Sequence, residues 1–178
     1  MLRGMAVSKD FKIQIKGLAV GNHVYDFPVD GAFFKEFENT QILDAHLIVH
    51  VELEKGSGFI HVNCGVSGTV ETECDRCLDR LEIPMDFTAS LAVKFAKTDD
   101  DPQSDELLIL DPTDGELDLS QFVYDYICIN LPLQKVHAPG KCDPGMIEKL
   151  RQAEGGKTEE SREENSPFAG LKDLLKEN

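Results

Sequence analysis

The 178-residue chain (19.8 kDa) has the length of one domain, or of one domain with a tail. Its 33 acidic against 18 basic side chains give a formal net charge of −15, which argues against binding nucleic acid or an anionic membrane through the overall field. No apolar run approaches the roughly 18 residues of a membrane span, and the N-terminus has no signal-like apolar region. Five cysteines without an export signal do not suggest a disulfide scaffold, so the cytoplasm is the expected compartment.

In chain order, Phe11, Ile13 and Ile15 alternate with Lys12, Gln14 and Lys16, the period of a half-buried strand. After Asp30-Gly31, Phe33, Phe34 and Phe37 have helical spacing and predict a short helix or turn. Leu47 to Leu53 alternate with Ile48 to Glu54, and Gly56-Ser57-Gly58 supplies a turn. Ile60, Val62 and Cys64 resume the alternation, followed by Val66, Val70 and Thr72, then Leu81 to Phe87, then Leu91, Val93 and Phe95. Successive period-2 runs with short turns predict an antiparallel β-meander covered on one face.

Residues 98–118 hold nine acidic and no basic side chains, whereas residues 1–97 sum to −4, 119–150 balance, and 151–178 sum to −2. The window reads as a flexible acidic loop around one strand, Leu107 to Leu110. Ser120 is the expected N-cap of a helix from Gln121 to about Asn130, with Leu119, Phe122, Val123, Tyr126 and Ile127 on one face and Pro132 beyond its end. A second helix is expected over Pro144 to Gln152. Residues 153–165 are too polar to bury anything and read as a flexible linker. Over 166–178, Ser166, Pro167 and the stripe Phe168, Leu171, Leu174 and Leu175 predict a short amphipathic tail helix. The whole is α+β: a single domain over 1–152, with a few helices packed on a meander, then linker and tail helix.

The sharpest motif is Cys74-Asp75-Arg76-Cys77, at the turn between two predicted strands. Two thiolates at this spacing can face one metal ion but cannot complete a tetrahedral site. His137 and Cys142, in a Pro/Gly-containing loop, would complete Cys₃His, a closed structural zinc centre. Two other readings stay open: a redox pair, although that motif normally opens a helix after a strand, and inert thiols at a turn. Cys64 and Cys128 lie at apolar positions and are expected in the core; His23, His46, His50 and His61 have no ligand spacing. No phosphate loop, nucleophile elbow or HExxH is present, so neither an enzymatic activity nor a small-molecule substrate is expected. Arg76, Arg80, Lys94 and Lys97 form a candidate RNA-contacting patch, with ordinary solvated strand ends near Glu73, Asp75 and Asp79 as an equally good reading.

Three stretches, CDRCL at 74–78, LSQFVYDYICINLPLQKVH at 119–137 followed by Cys142, and NSPFAGLKDLL at 165–175, resemble the YceD family, the large ribosomal RNA subunit accumulation proteins. The likeness covers roughly residues 45–175. Further upstream, GLAVGNHVYDF and DGAFFKEF are similar to the family's Bacteroidetes branch. The resemblance implies a cytoplasmic bacterial protein needed for synthesis, processing or stability of the large-subunit (23S) rRNA, with no known enzymatic activity. Its CxRC maps onto Cys74, Arg76 and Cys77, and its HxxxxC, replaced by cysteines in some members, onto His137 and Cys142. Two modes of action follow: an accessory factor holding a basic ribosomal protein, or direct rRNA binding around Arg76 and Arg80.

Overall fold

The alternating runs become long strands because one side of each carries Val, Ile and Leu and the other carries polar groups. The computed structural model describes residues 11–96, 107–111 and 113–155. The acidic stretch before Leu107, Lys97, most of the linker and the whole tail helix lie outside the described residues. Four antiparallel strands form a meander: β2 (Gly21–Asp30), β3 (Ile42–Lys55), β4 (Phe59–Glu73) and β5 (Arg80–Phe95). A further strand, β6 (Leu107–Leu110), joins β5 in parallel, giving the sheet order β2-β3-β4-β5-β6. Two short strands, β1 (Lys12–Gln14) and β7 (Glu116–Asp118), pair separately, with Ile13 opposite Leu117. The described residues also form three helices: α1 (Gly31–Glu36), α2 (Ser120–Ile129) and α3 (Pro144–Gly155).

These residues divide into two compact units. One holds residues 11–73, 80–96, 107–111 and 113–135; the other holds 74–79 and 136–155. The first contains the sheet and an apolar core. Val49, Val51, Ile60, Val62, Val66 and Val93 from the sheet pack with Phe11, Ile13, Phe34, Leu117, Leu119, Val123 and Ile127. Three strands of the meander, β3, β4 and β5, are as the alternation predicts, with runs separated at Gly65 and at Thr88 fused into single strands.

Three details differ from the sequence reading. Strand β2 is an additional edge strand: Phe27 and Val29 point into the core, while Asn22, Val24 and Asp26 do not, and edge Pro28 breaks the pattern. Ser120 is the first helical residue of α2 rather than its cap; the Asp118 carboxylate accepts its N–H at 2.8 Å. Helix α3 continues to Gly155, three residues past its predicted end at Gln152. At α1 the expected helix is present, and Asp30 caps it by accepting the Ala32 N–H at 2.9 Å. Among the described residues no helix is long and apolar enough to cross a membrane.

Candidate metal centre

Strand β4 stops at Glu73 because the chain turns back within six residues. The turn is closed by the Cys74 N–H donating to Asp79 O (2.8 Å) and the Leu78 N–H donating to Cys74 O (2.9 Å). Leu78 takes the left-handed backbone conformation (φ 62°), which costs a non-glycine residue about 1–2 kcal/mol. Inside this loop the N–H groups of Arg76 and Cys77 point at the Cys74 sulfur, as does that of His137.

The second half of the cluster is shaped by a type II turn. Lys141 N–H donates to Ala138 O at 3.0 Å across Pro139-Gly140, and Gly140 supplies the required positive φ of 77°. That reversal brings His137 and Cys142 to the same side despite their separation in sequence. Directly after Cys142, Asp143 caps α3 by accepting the Met146 N–H at 2.7 Å.

The four side chains converge. The Cys74 and Cys142 sulfurs are 4.0 Å apart, Cys77 Sγ and His137 Nδ1 are 3.3 Å apart, and all four ligand atoms lie within 4.8 Å of one another. A tetrahedron with metal–sulfur bonds near 2.3 Å and metal–nitrogen bonds near 2.0 Å has edges of about 3.4–3.8 Å. The observed spacing brackets that range. The three cysteines are buried and His137 is half-buried. Burial alone would raise the Cys74 thiol, but the surrounding N–H donors outweigh it and bring its pKa down to about 6. Burial and the neighbouring sulfurs raise the Cys142 thiol. A cation would relieve both tensions, since it needs thiolates and removes their mutual repulsion.

The decisive observation is what else this unit buries. Among its described residues, the fully buried side chains are Cys74, Cys77 and Cys142. A unit without an apolar centre needs a staple, and the donor set is one that zinc accepts. The other two cysteines are different: Cys64 is buried in the core, where burial pushes its thiol up to about 12. Cys128 is half-buried beside Asn39 Nδ2 (3.5 Å), which also donates to Tyr124 Oη. His23, His46, His50 and His61 all sit on strands of the larger unit; His50 Nδ1 lies 2.6 Å from Asp26.

Arg76 is exposed within the cysteine turn. Arg80 and Lys94 stand at opposite ends of β5, about 46 Å apart at 3.3 Å per residue. Arg80 is engaged by Glu71 on the neighbouring strand. The stronger electrostatic feature is one that segment sums conceal. On the outward face of the sheet, register places Asp26, Asp30, Asp44, Glu52, Glu54, Glu71, Glu73, Glu82 and Asp86 against only Arg80 and Lys94. Nine carboxylates to two cations make this face strongly negative. The signal was present in the alternation itself, because these acids occupy the polar phase of each strand.

Comparison with family models matches residues 62–175 to the large ribosomal RNA subunit accumulation protein YceD, a span that includes all four clustered side chains. No curated protein and no solved structure matches the chain.

Proposed function

The chain belongs to the YceD family of large ribosomal RNA subunit accumulation proteins, which is not a known enzyme family, and from that membership we propose a non-enzymatic accessory role in ribosome biogenesis. In this reading the protein acts where ribosomes assemble, in the cytoplasm, by binding a basic ribosomal protein of the large subunit. The observation that carries it is the outward sheet face, with nine carboxylates against two cations. Ribosomal proteins that neutralise rRNA phosphates are themselves cationic, and before they reach RNA they need a counter-surface. A negative face supplies one, and it speeds encounter with a positive partner while repelling RNA.

Cys74, Cys77, His137 and Cys142 hold one structural zinc in this proposal. The metal takes the place of an apolar core in the smaller unit and performs no chemistry, because a Cys₃His set leaves no open coordination position. In this reading the chain beyond α3 serves as a linker up to residue 165 and as a docking tail over 166–178, and the acidic window 98–118 adds negative charge that favours the same partner.

Co-purification of the full chain from cells at low and at high salt tests the partner. A large-subunit ribosomal protein recovered at low salt and released at high salt is expected. A partner list without any ribosomal protein would refute the reading. Recovery of rRNA alone, lost on Arg76→Glu with Arg80→Glu, would assign direct rRNA binding instead.

A further inference from the structure

A groove of about 1120 Å³ opens beside α1 in the larger unit, and its lining combines two kinds of group. Aromatic rings make one part: Phe33 lies 5.2 Å from Phe11 and 5.2 Å from Phe37 between ring centres, and Phe37 stacks on Tyr124 at 4.2 Å. Phe33 and Phe37 are half-buried, so their rings are fixed by packing yet still reach the groove. Carboxylates make the other part: Asp30, Glu36 and Asp118. Asp30 and Asp118 are held in place by the backbone N–H groups of Ala32 and Ser120, which donate to their carboxylates. The one Lys or Arg in the lining, Lys12, lies 3.6 Å from Glu116. The groove also reaches the acidic sheet face, since His46 and Ile48 belong to both.

We infer that this groove is a recognition site for an extended basic polypeptide segment, seating an arginine side chain against Phe33 and Phe37 between the three carboxylates. The inference rests on the proposed basic partner and names where and how it is read. Guanidinium fits both groups at once: it is planar, weakly hydrated, stacks on aromatic faces and pairs with carboxylates through two N–H bonds. An ammonium is a compact, strongly hydrated charge and gains less from the rings. A neutral apolar peptide would leave the carboxylates desolvated without partners, and phosphate would be repelled by all three.

The test uses the full-length protein and a fluorescently labelled arginine–glycine peptide, with matched lysine and citrulline peptides, read by anisotropy at low and moderate salt. Binding of the arginine peptide is expected to exceed the lysine peptide by about threefold and the citrulline peptide by tenfold or more. Glu36→Gln, an exposed change, should weaken arginine binding about threefold, and Glu36→Lys about tenfold or more. Asp30→Asn keeps the cap and should weaken it similarly to Glu36→Gln. Equal binding of the three peptides overturns the proposal, as do groove variants that bind like the parent. If binding then falls instead on Glu52→Gln with Glu54→Gln, the basic-partner reading survives and the groove assignment fails. If neither peptide nor ribosomal protein binds, both fail. A dimer dissociated by Glu36→Lys would assign the groove to a second copy of this chain and overturn the proposal as well.

Discussion

Removing the proposed zinc should unfold the smaller unit and leave the sheet intact. The perturbation is Cys142→Ser, or chelation of the parent, each confirmed by native mass spectrometry. The unit has twenty-six described residues, 74–79 and 136–155, with the three cysteines as its fully buried side chains. The one helix among those described residues, Pro144–Gly155, has 12 residues, at the lower limit of what persists alone in water. Structural zinc contributes roughly 10–16 kcal/mol in comparable peptides. Losing even about 4 kcal/mol of that is roughly a thousandfold in opening equilibrium. Hydrogen exchange reads this directly. The Leu78 and Lys141 amides, which donate to Cys74 O and Ala138 O, should lose about three orders of magnitude of protection. Amides of β3 and β4, which lie over their own apolar core, should change by less than about tenfold. Unchanged protection at Leu78 and Lys141 after verified metal removal, or a native protein that never carried metal, would refute the reasoning.

Other changes probe the backbone and the acid response. Gly68→Ala should destabilise the sheet by about 3 kcal/mol or more, seen as a lower urea midpoint. Its Cβ would stand 2.1 Å from His46 O at a φ of +132°, and a midpoint within about 0.5 kcal/mol of the parent would contradict that. Leu78→Gly should relieve the left-handed strain and stabilise the cysteine turn by about 1 kcal/mol, read as slower chelator stripping of the metal; the exposed side chain has little packing to lose. Asp44 accepts the N–H groups of Ala45 and Gly31, and these bonds lower its pKa below the usual 3.8. Its contribution is therefore complete above pH 3.8 and lost as pH falls through the lower folded value. Asp44→Asn should flatten the acid limb of the stability profile; an unaltered limb would contradict the assignment.

Much of this architecture is legible in the chain because period-2 burial writes itself into sequence. Strands β3, β4 and β5 and the turn at Gly56-Ser57-Gly58 follow from alternation and glycine placement. The convergence of the three cysteines and His137 is legible from spacing: two residues between Cys74 and Cys77, and a Pro-Gly reversal between His137 and Cys142. What escapes is set by tertiary context. β2 is an edge strand with only Phe27 and Val29 turned inward, so its sequence never shows a sustained apolar phase. Helix α2 begins one residue earlier than the capping pattern suggests: Leu119 holds the cap position, and the Asp118 carboxylate accepts the Ser120 N–H, which frees Ser120 to be the first helical residue. The acidic face is hidden from a linear sum because adjacent strands run in opposite directions and pair residues far apart in sequence. Asp44 meets Glu71, and Glu71 meets Glu82, only once register is fixed.

The proposed partner of the negative sheet face is a basic ribosomal protein. A photoreactive side chain at Ser67, outward-facing and flanked in register by Ile48 and Asp86, would report what covers that face in living cells. The expected product is a covalent adduct with a basic large-subunit ribosomal protein, diminished when Asp86 and Glu82 are both changed to lysine. An adduct with rRNA, or none above a control position in the core, would contradict the account.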